Sequence, residues 1–414
     1  MRLITDFHLH SKWSRACSKD LTLPNIAKGC ERKGIALVGT GDAFHPAWRA
    51  DIGSLLEEIG PGIFALRDGS SPVRFILSTE ISCIYKRGDA VRRVHHLVLF
   101  PSLVALDRLT QSLNDRKCNL KSDGRPIVGI DSEELLKMVL DADPKCLLIP
   151  AHAWTPWFSV FGSKSGFDSL EECFGDLASN VYAIETGLSS DPAMNWRLSG
   201  LDRIFLVSNS DAHSCENLGR EANVFEMEEP SYPELYRILS QQDTSKFVET
   251  IEFFPEEGKY HMDGHRACDF CCTPEETKRL RGICPKCGKP LVIGVLNRIA
   301  ELADRPPQPL RPAGSVPFRS IVPLRELVAD ALGVGKTSQK VQRAVNEMLS
   351  DGRSEFSVLL DLPKSELARF ALPDMVESII NMRAGNVEIR PGYDGEYGIV
   401  KAKGVKKKQQ ESLF

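Results

Sequence analysis

The first apolar run of this 414-residue chain ends in Asp6-Phe7-His8-Leu9-His10. Side chains two apart on an extended strand point the same way, so His8 and His10 offer two imidazoles to one place, half of a metal site. Groups of the same chemistry recur downstream: Asp42 in Gly39-Thr40-Gly41-Asp42, then Glu80, His95-His96, His152, Glu185 and Asp211-Ala212-His213. Seven of the nine histidines lie in this half, six at these positions, with His45 the seventh. Imidazoles and carboxylates in that number suit a centre of several divalent cations, Zn²⁺ with Mn²⁺ or Fe²⁺ as alternatives. Adjacent strand residues face opposite ways, so only one of His95 and His96 can belong to it.

A second chemistry begins near residue 260. Cys268-x-x-Cys271 and Cys284-x-x-Cys287 are separated by twelve residues. Four thiolates at that spacing predict a closed tetrahedral zinc site whose role is to hold a fold. Cys272 is a spare for Cys271, and His261 and His265 are weaker alternatives.

Seven β-rich apolar runs supply the positions for the first group: Arg2–Asp6, Ile35–Gly39, Arg74–Thr79, Val94–Phe100, Cys146–Pro150, Val181–Thr186 and Ile204–Ser208. Helical spacing fills Pro24–Lys33, Ser132–Asp141 and Ser169–Ala178 between them. Strand alternating with helix argues for an α/β fold with a parallel sheet closing into a barrel. The polar residues fall at strand ends, where such barrels build their sites.

Composition, 42% hydrophobic and 26% charged, is that of a soluble globular protein. No apolar run approaches bilayer length, and a metal-like motif starting at residue 8 leaves no room for a cleavable signal. The expectation is a cytoplasmic chain with reduced thiols and no membrane partner. Charge is uneven: residues 259–414 hold 25 Lys+Arg against 19 Asp+Glu, a net of +6, and residues 1–258 are at -10. An acidic first part can hold cations and a basic second part can meet a polyanion.

The loop after His152 carries Trp154, Trp157 and Phe158 close together, with Lys164 among Gly and Ser; these, with Ser11 and Lys12 after the first strand, are candidates for DNA contact. Six prolines between 305 and 323 read as a semi-rigid linker, and a mostly helical piece follows. Within it, Gly333-Val334-Gly335-Lys336 lacks the first glycine of a phosphate loop, Asp330 standing there instead. The turn is similar to a helix-hairpin-helix corner, whose backbone N–H groups can hold a DNA phosphate. The chain closes with Lys406-Lys407-Lys408, then Gln410, Leu413 and Phe414, similar to the peptide by which bacterial repair proteins dock on the sliding clamp.

As an ordered set, His8-x-His10, Gly-Thr-Gly-Asp42, Glu80, His96-Leu97, Ala151-His152 and Ser210-Asp211-Ala212-His213 resemble the PHP (polymerase and histidinol phosphatase) superfamily. The resemblance implies a distorted (β/α)7 barrel over roughly residues 1–225, holding two or three divalent metals, Zn, Mn or Mg. The ligands it implies are His8, His10, Asp42, Glu80, His96, His152, Asp211 and His213, with Glu80, Asp211 and His213 the catalytic group. Relatives often carry Thr-Asp-His where this chain has Thr40-Gly41-Asp42, which leaves Asp42 and His45 as alternatives.

The succession of barrel (1–230), four-cysteine zinc module (250–296), Pro-rich linker (305–323), helical DNA-binding domain (324–400) and basic clamp-like tail (401–414) resembles the endonuclease Q family. So do Ser18-Lys19-Asp20-Leu21-Thr22-Leu23-Pro24-Asn25-Ile26-Ala27 and Val38-Gly39-Thr40-Gly41-Asp42. That resemblance implies a repair enzyme cutting DNA 5′ to deaminated bases (uracil, hypoxanthine, xanthine) and abasic sites by metal-activated water. A small-molecule phosphatase of the same barrel would leave the zinc module and tail without a purpose. A non-catalytic DNA or clamp adaptor would have no use for so many intact ligand positions.

Overall fold

A computed structural model describes residues 1–403; the clamp-like Gln410, Leu413 and Phe414 lie outside the described residues. All seven expected runs form strands: Arg2–Asp6, Leu37–Gly39, Arg74–Arg87, Ala90–Phe100, Leu147–Pro150, Ala183–Glu185 and Phe205–Val207. Arg2–Asp6, Leu37–Gly39 and Arg74–Arg87 pair in parallel, as do Ala183–Glu185 and Phe205–Val207.

The barrel is distorted because the third and fourth runs are one antiparallel hairpin, paired from Leu77–Phe100 to Arg87–Ala90. Only Gly88 and Asp89 lie between the last paired residues, with Gly88 at φ +60°. A two-residue turn can join only antiparallel strands, so no helix intervenes there. Leu147–Pro150 is antiparallel to Ala90–Phe100 as well.

Sheet pairing continues past residue 230. Ala222–Glu226 pairs with Arg2–Asp6, Phe247–Phe253 pairs with Ala222–Glu226, and Phe318–Ile321 adds in parallel beyond it. At the site end, His10 N donates to Ala212 O (3.0 Å) and Ala153 N to Glu185 O (2.9 Å), stitching together strands that do not pair along their lengths. Leu3, Phe7, Leu37, Leu97, Ile149 and Val207, drawn from strands all round the sheet, form one buried cluster. Helices cover the outside. Leu23–Lys33 buries Leu23, Ile26, Ala27 and Cys30, one face at helical spacing, and Gly34 ends it at φ +91°.

The C-terminal region is mainly helical, with Leu324–Leu332, Gln339–Met348 and Pro373–Arg383. An antiparallel hairpin, Val387–Arg390 with Ile399–Ala402, departs from the helical expectation. Its β-branched residues and the Pro391-Gly392 that ends the first strand favour extended chain. Among the described residues no helix is long and apolar enough to cross a membrane.

Candidate metal centre

Two groups of donor atoms meet at Glu80. His8, His10, Glu80 and Asp211 form one; Glu80, His95 and His152 form the other, each with its donor atoms within 4.8 Å of one another. Glu80 Oε2 lies 3.6 Å from His8 Nε2 and 3.3 Å from His10 Nε2, while Oε1 lies 2.7 Å from His95 Nδ1 and 3.3 Å from His152 Nε2. Asp211 Oδ1 completes the first group at 3.1 Å from His10 Nε2. A carboxylate with one oxygen toward each group is an arrangement that suits two cations.

The donor set fits divalent cations. His8 Nε2 is buried and makes no hydrogen bond, although it faces two carboxylates, and such an atom is costly unless something binds it. Burial disfavours charge on His8 and His10, yet Glu185 and Glu80 around one, and Asp42 and Asp211 around the other, hold both imidazoles well above their usual pKa. Burial would raise Glu80, but His95, Arg125 and His8 hold it well below the carboxylate range. A cation entering would displace those protons and inherit the carboxylates.

A further layer fixes the rings. His8 Nδ1 donates to both oxygens of Glu185 (3.0 Å), which also accepts from His152 N (2.8 Å) and Asn209 Nδ2 (2.9 Å). His10 Nδ1 donates to Asp42 Oδ1 (3.0 Å), and Asp42 Oδ2 accepts from Ser11 N, Ser11 Oγ and Ser14 Oγ. Partners of this kind set the tautomer and aim of a ligating histidine. Asp42, His152 and Asp211 all sit at positive φ (47°, 31° and 46°), a strained conformation for residues that are not glycine. Gly41, at φ +61°, lies so close to Leu9 O that no side chain fits there, which explains the Gly-Thr-Gly-Asp run.

The cysteine site closes differently from its sequence spacing. Donor atoms of His265, Cys268, Cys284 and Cys287 lie within 4.8 Å of one another, a three-cysteine, one-histidine set suited to structural zinc. Cys284-Pro285-Lys286-Cys287-Gly288 forms a tight turn with Gly288 at φ +73°. There burial raises the Cys284 thiol, but backbone N–H groups of Lys286 and Cys287 hold it down at about 7. Cys271 is exposed on the short strand Phe270–Cys272, and Cys272 is buried against Thr277.

Residues 323–386 match the MJ0043 C-terminal domain family. The lesion-specific endonuclease PfuEndoQ of Pyrococcus furiosus superposes with a TM-score of 0.87 at 33% identity, over 100% of this chain and 98% of that one. An endonuclease Q bound to a 27-mer duplex with an abasic lesion at its active site gives 0.86, also at 33%, over 100% of both chains. The YqxK protein of Bacillus subtilis is 30% identical over 421 residues, covering 97% of this chain and 99% of its own. The chain belongs to the endonuclease Q family.

For this endonuclease Q chain, several expected positions need correction. His96 turns away from the site, its Nε2 on Ser132 Oγ (2.9 Å) and its ring against Phe174, and His95 takes its place. Asp42 is not in either donor group; both its oxygens are used in orienting His10, Ser11 and Ser14. His45 stacks on Trp13 instead (4.8 Å between centroids). His213 lies beside the first group, its ring 4.6 Å from His10 and Nδ1 3.6 Å from Asp211 Oδ1, without joining it. Cys271 is replaced by His265, because the strand that follows Cys268 carries residue 271 away.

Among the expected DNA contacts, Trp154 is buried with Nε1 on Asn195 Oδ1 (2.7 Å), so its ring is a core element. Ser11 is buried on Asp42, and Phe158 packs against His95 (4.8 Å). Trp157 and Lys164 are exposed. Lys12 pairs with Asp51 and Lys336 with Glu326, both at 2.9 Å. Gly333, at φ +65°, and Gly335 face open space at a helix–turn–helix corner.

Sequence reasoning missed Arg125, whose Nη1 donates to Glu80 Oε2 at 3.0 Å. It arrives because Ser82 N donates to Pro126 O and Ile127–Val128 pairs with Ser82 and Cys83. Only that pairing identifies it; its spacing from other residues carries no signal. Glu185 was visible at a strand end, without its role as the carboxylate behind His8.

Proposed function

We propose that the chain is a DNA repair endonuclease that hydrolyses the phosphodiester on the 5′ side of deaminated bases (uracil, hypoxanthine, xanthine) and of abasic sites. The products are a 3′-hydroxyl and a 5′-phosphate that still carries the lesion. The observation that supports this most is Glu80 shared between two donor groups, in a chain similar end to end to a lesion-specific endonuclease. The relative bound to abasic-site duplex supports DNA as the substrate class.

His8, His10, Glu80 and Asp211 would hold one cation, and Glu80, His95 and His152 another. Divalent ions bound there supply a water of lowered pKa and neutralise the phosphate oxygens. The chain's own part is orientation and proton handling. Glu185 and Asp42 keep the Nε2 atoms of His8 and His10 turned inward. Water oxygen bonds to phosphorus, the bond from phosphorus to the 3′ oxygen breaks, and that oxygen takes up a proton. In this reading His213, about a third exposed beside Asp211 and kept neutral because burial lowers its pKa, accepts the proton that the attacking water gives up. The 3′ oxygen takes its proton from solvent, and Arg125 meets a non-bridging phosphate oxygen. The Gln410, Leu413 and Phe414 tail would dock the enzyme on the sliding clamp, a reading that rests on sequence.

The test is incubation with Mn²⁺, Zn²⁺ or Mg²⁺ and duplexes carrying one uracil, hypoxanthine or abasic site. A single nick 5′ to the lesion is expected. Absence of incision, or equal incision of undamaged duplex, would overturn the assignment.

A further inference from the structure

The segment 391–398 joins the two strands of the C-terminal hairpin, and it is pinned rather than loose. Gly392 N donates to Glu256 O (2.8 Å), Met262 N to Gly392 O (3.0 Å), Gly395 N to Lys259 O (3.0 Å) and Gly398 N to Glu257 O (3.0 Å). Tyr393 is buried, its hydroxyl on Asp269 Oδ1 (2.9 Å). This fixed backbone nevertheless presents Tyr397 to solvent at 72% exposure. A large aromatic ring held rigidly outward, with Lys259 Nζ 4.5 Å from its centroid, contributes nothing to the core.

Around it lies an open cleft of about 400 Å³ lined by Arg266, Arg390, Tyr393, Glu396, Tyr397 and Ile399. Arg266 is 3.7 Å from Glu396 and so partly neutralised. Arg390 is exposed, and among the described residues no carboxylate pairs with it. The cleft therefore keeps a positive excess beside an exposed aromatic ring.

The cleft also connects to the metal centre. His152 Nδ1 meets Thr155 Oγ1 (3.2 Å), which donates to Trp157 O (2.9 Å). The Trp157 ring, 39% exposed, meets Tyr260 edge-on at 5.8 Å, and Tyr260 adjoins Lys259. The exposed Trp157 and the half-buried Tyr260 thus lie between His152 and the cleft.

We propose that this cleft holds an unpaired DNA strand continuing from the incision site, with a base stacked on Tyr397 and phosphates on Arg266 and Arg390. The inference rests on reading the chain as a DNA endonuclease. An unpaired strand is the form that fits, because bases within a duplex have no free face to offer a tyrosine, whereas unstacked bases do.

The test measures binding of a labelled oligothymidylate to the full chain and to Tyr397→Ala, Arg390→Ala and Tyr397→Phe, with lesion-duplex nicking by the parent run alongside. Both alanine variants should bind the probe about tenfold more weakly, and Tyr397→Phe should bind as the parent does. A single-stranded extension on a lesion duplex should raise the parent's affinity, and that gain should vanish in the alanine variants. Equal probe binding by parent and alanine variants would overturn the proposal, as would its loss in Tyr397→Phe. If the parent nicks lesion duplexes and that equality is found, only this inference falls. If the parent nicks nothing while the alanine variants lose the probe, the strand site stands and the endonuclease reading falls. Both side chains substituted, Arg390 and Tyr397, are exposed, and unchanged melting would verify that the variants are folded.

Discussion

Glu80 meets His95 at 2.7 Å, and the register of one hairpin explains why His96 cannot do the same. Residues opposite one another in an antiparallel pair share a face. His95 lies opposite Ser82, two residues from Glu80 and so on its face, whereas His96 lies opposite Ile81, which belongs to the core on the other side. His95→Ala should therefore lower active-site metal content and cut nicking by at least about 100-fold. His96→Ala should retain the metal and lose about 1–3 kcal/mol of stability through the orphaned Ser132 and the space left beside Phe174. Metal analysis and melting of both variants decide it, and the reverse pattern would overturn the assignment.

Asp211 supplies charge to the first donor group, and Asp211→Asn keeps its shape while removing that charge. Nicking should be abolished while binding to lesion duplex stays within a fewfold of the parent, because the phosphate backbone dominates affinity. Full nicking by this variant would contradict the assigned role.

The zinc assignment separates Cys284 from Cys271. Cys284→Ser should lose about one equivalent of zinc and melt the surrounding module, since binding and folding are coupled there. Cys271→Ser should keep its zinc, and His265→Ala should weaken it. Zinc loss in Cys271→Ser with full retention in His265→Ala would restore the four-cysteine set.

These contrasts show what was legible in the sequence. Residue type and strand-end position pointed to His8, His10, Glu80, His152 and Asp211, which the fold brings into two adjoining donor groups. Phase was not legible. Choosing between His95 and His96, or between Cys271 and His265, requires knowing which face a strand turns inward, and that is fixed by the register of the hairpin each joins. Arg125 was hidden because its place depends on Ile127–Val128 pairing with Ser82 and Cys83, far earlier in the chain.

Behind the site, Glu252 is buried and accepts from Thr250, Thr186 and Ser208 hydroxyls. Burial raises its pKa to about 8, the three hydroxyls opposing only in part. The folded chain thus keeps a proton that the unfolded chain releases, in a window from about 4.5 to about 8. Below that window the group is neutral in both states and costs nothing; as pH rises through it, stability falls. Glu252→Gln mimics the protonated form, so its melting temperature should decline less steeply than the parent's across the window. Glu221, also raised by burial and by Glu252, should leave a residual slope. Parallel pH profiles for parent and variant would show that Glu252 is ionised in the folded protein at neutral pH.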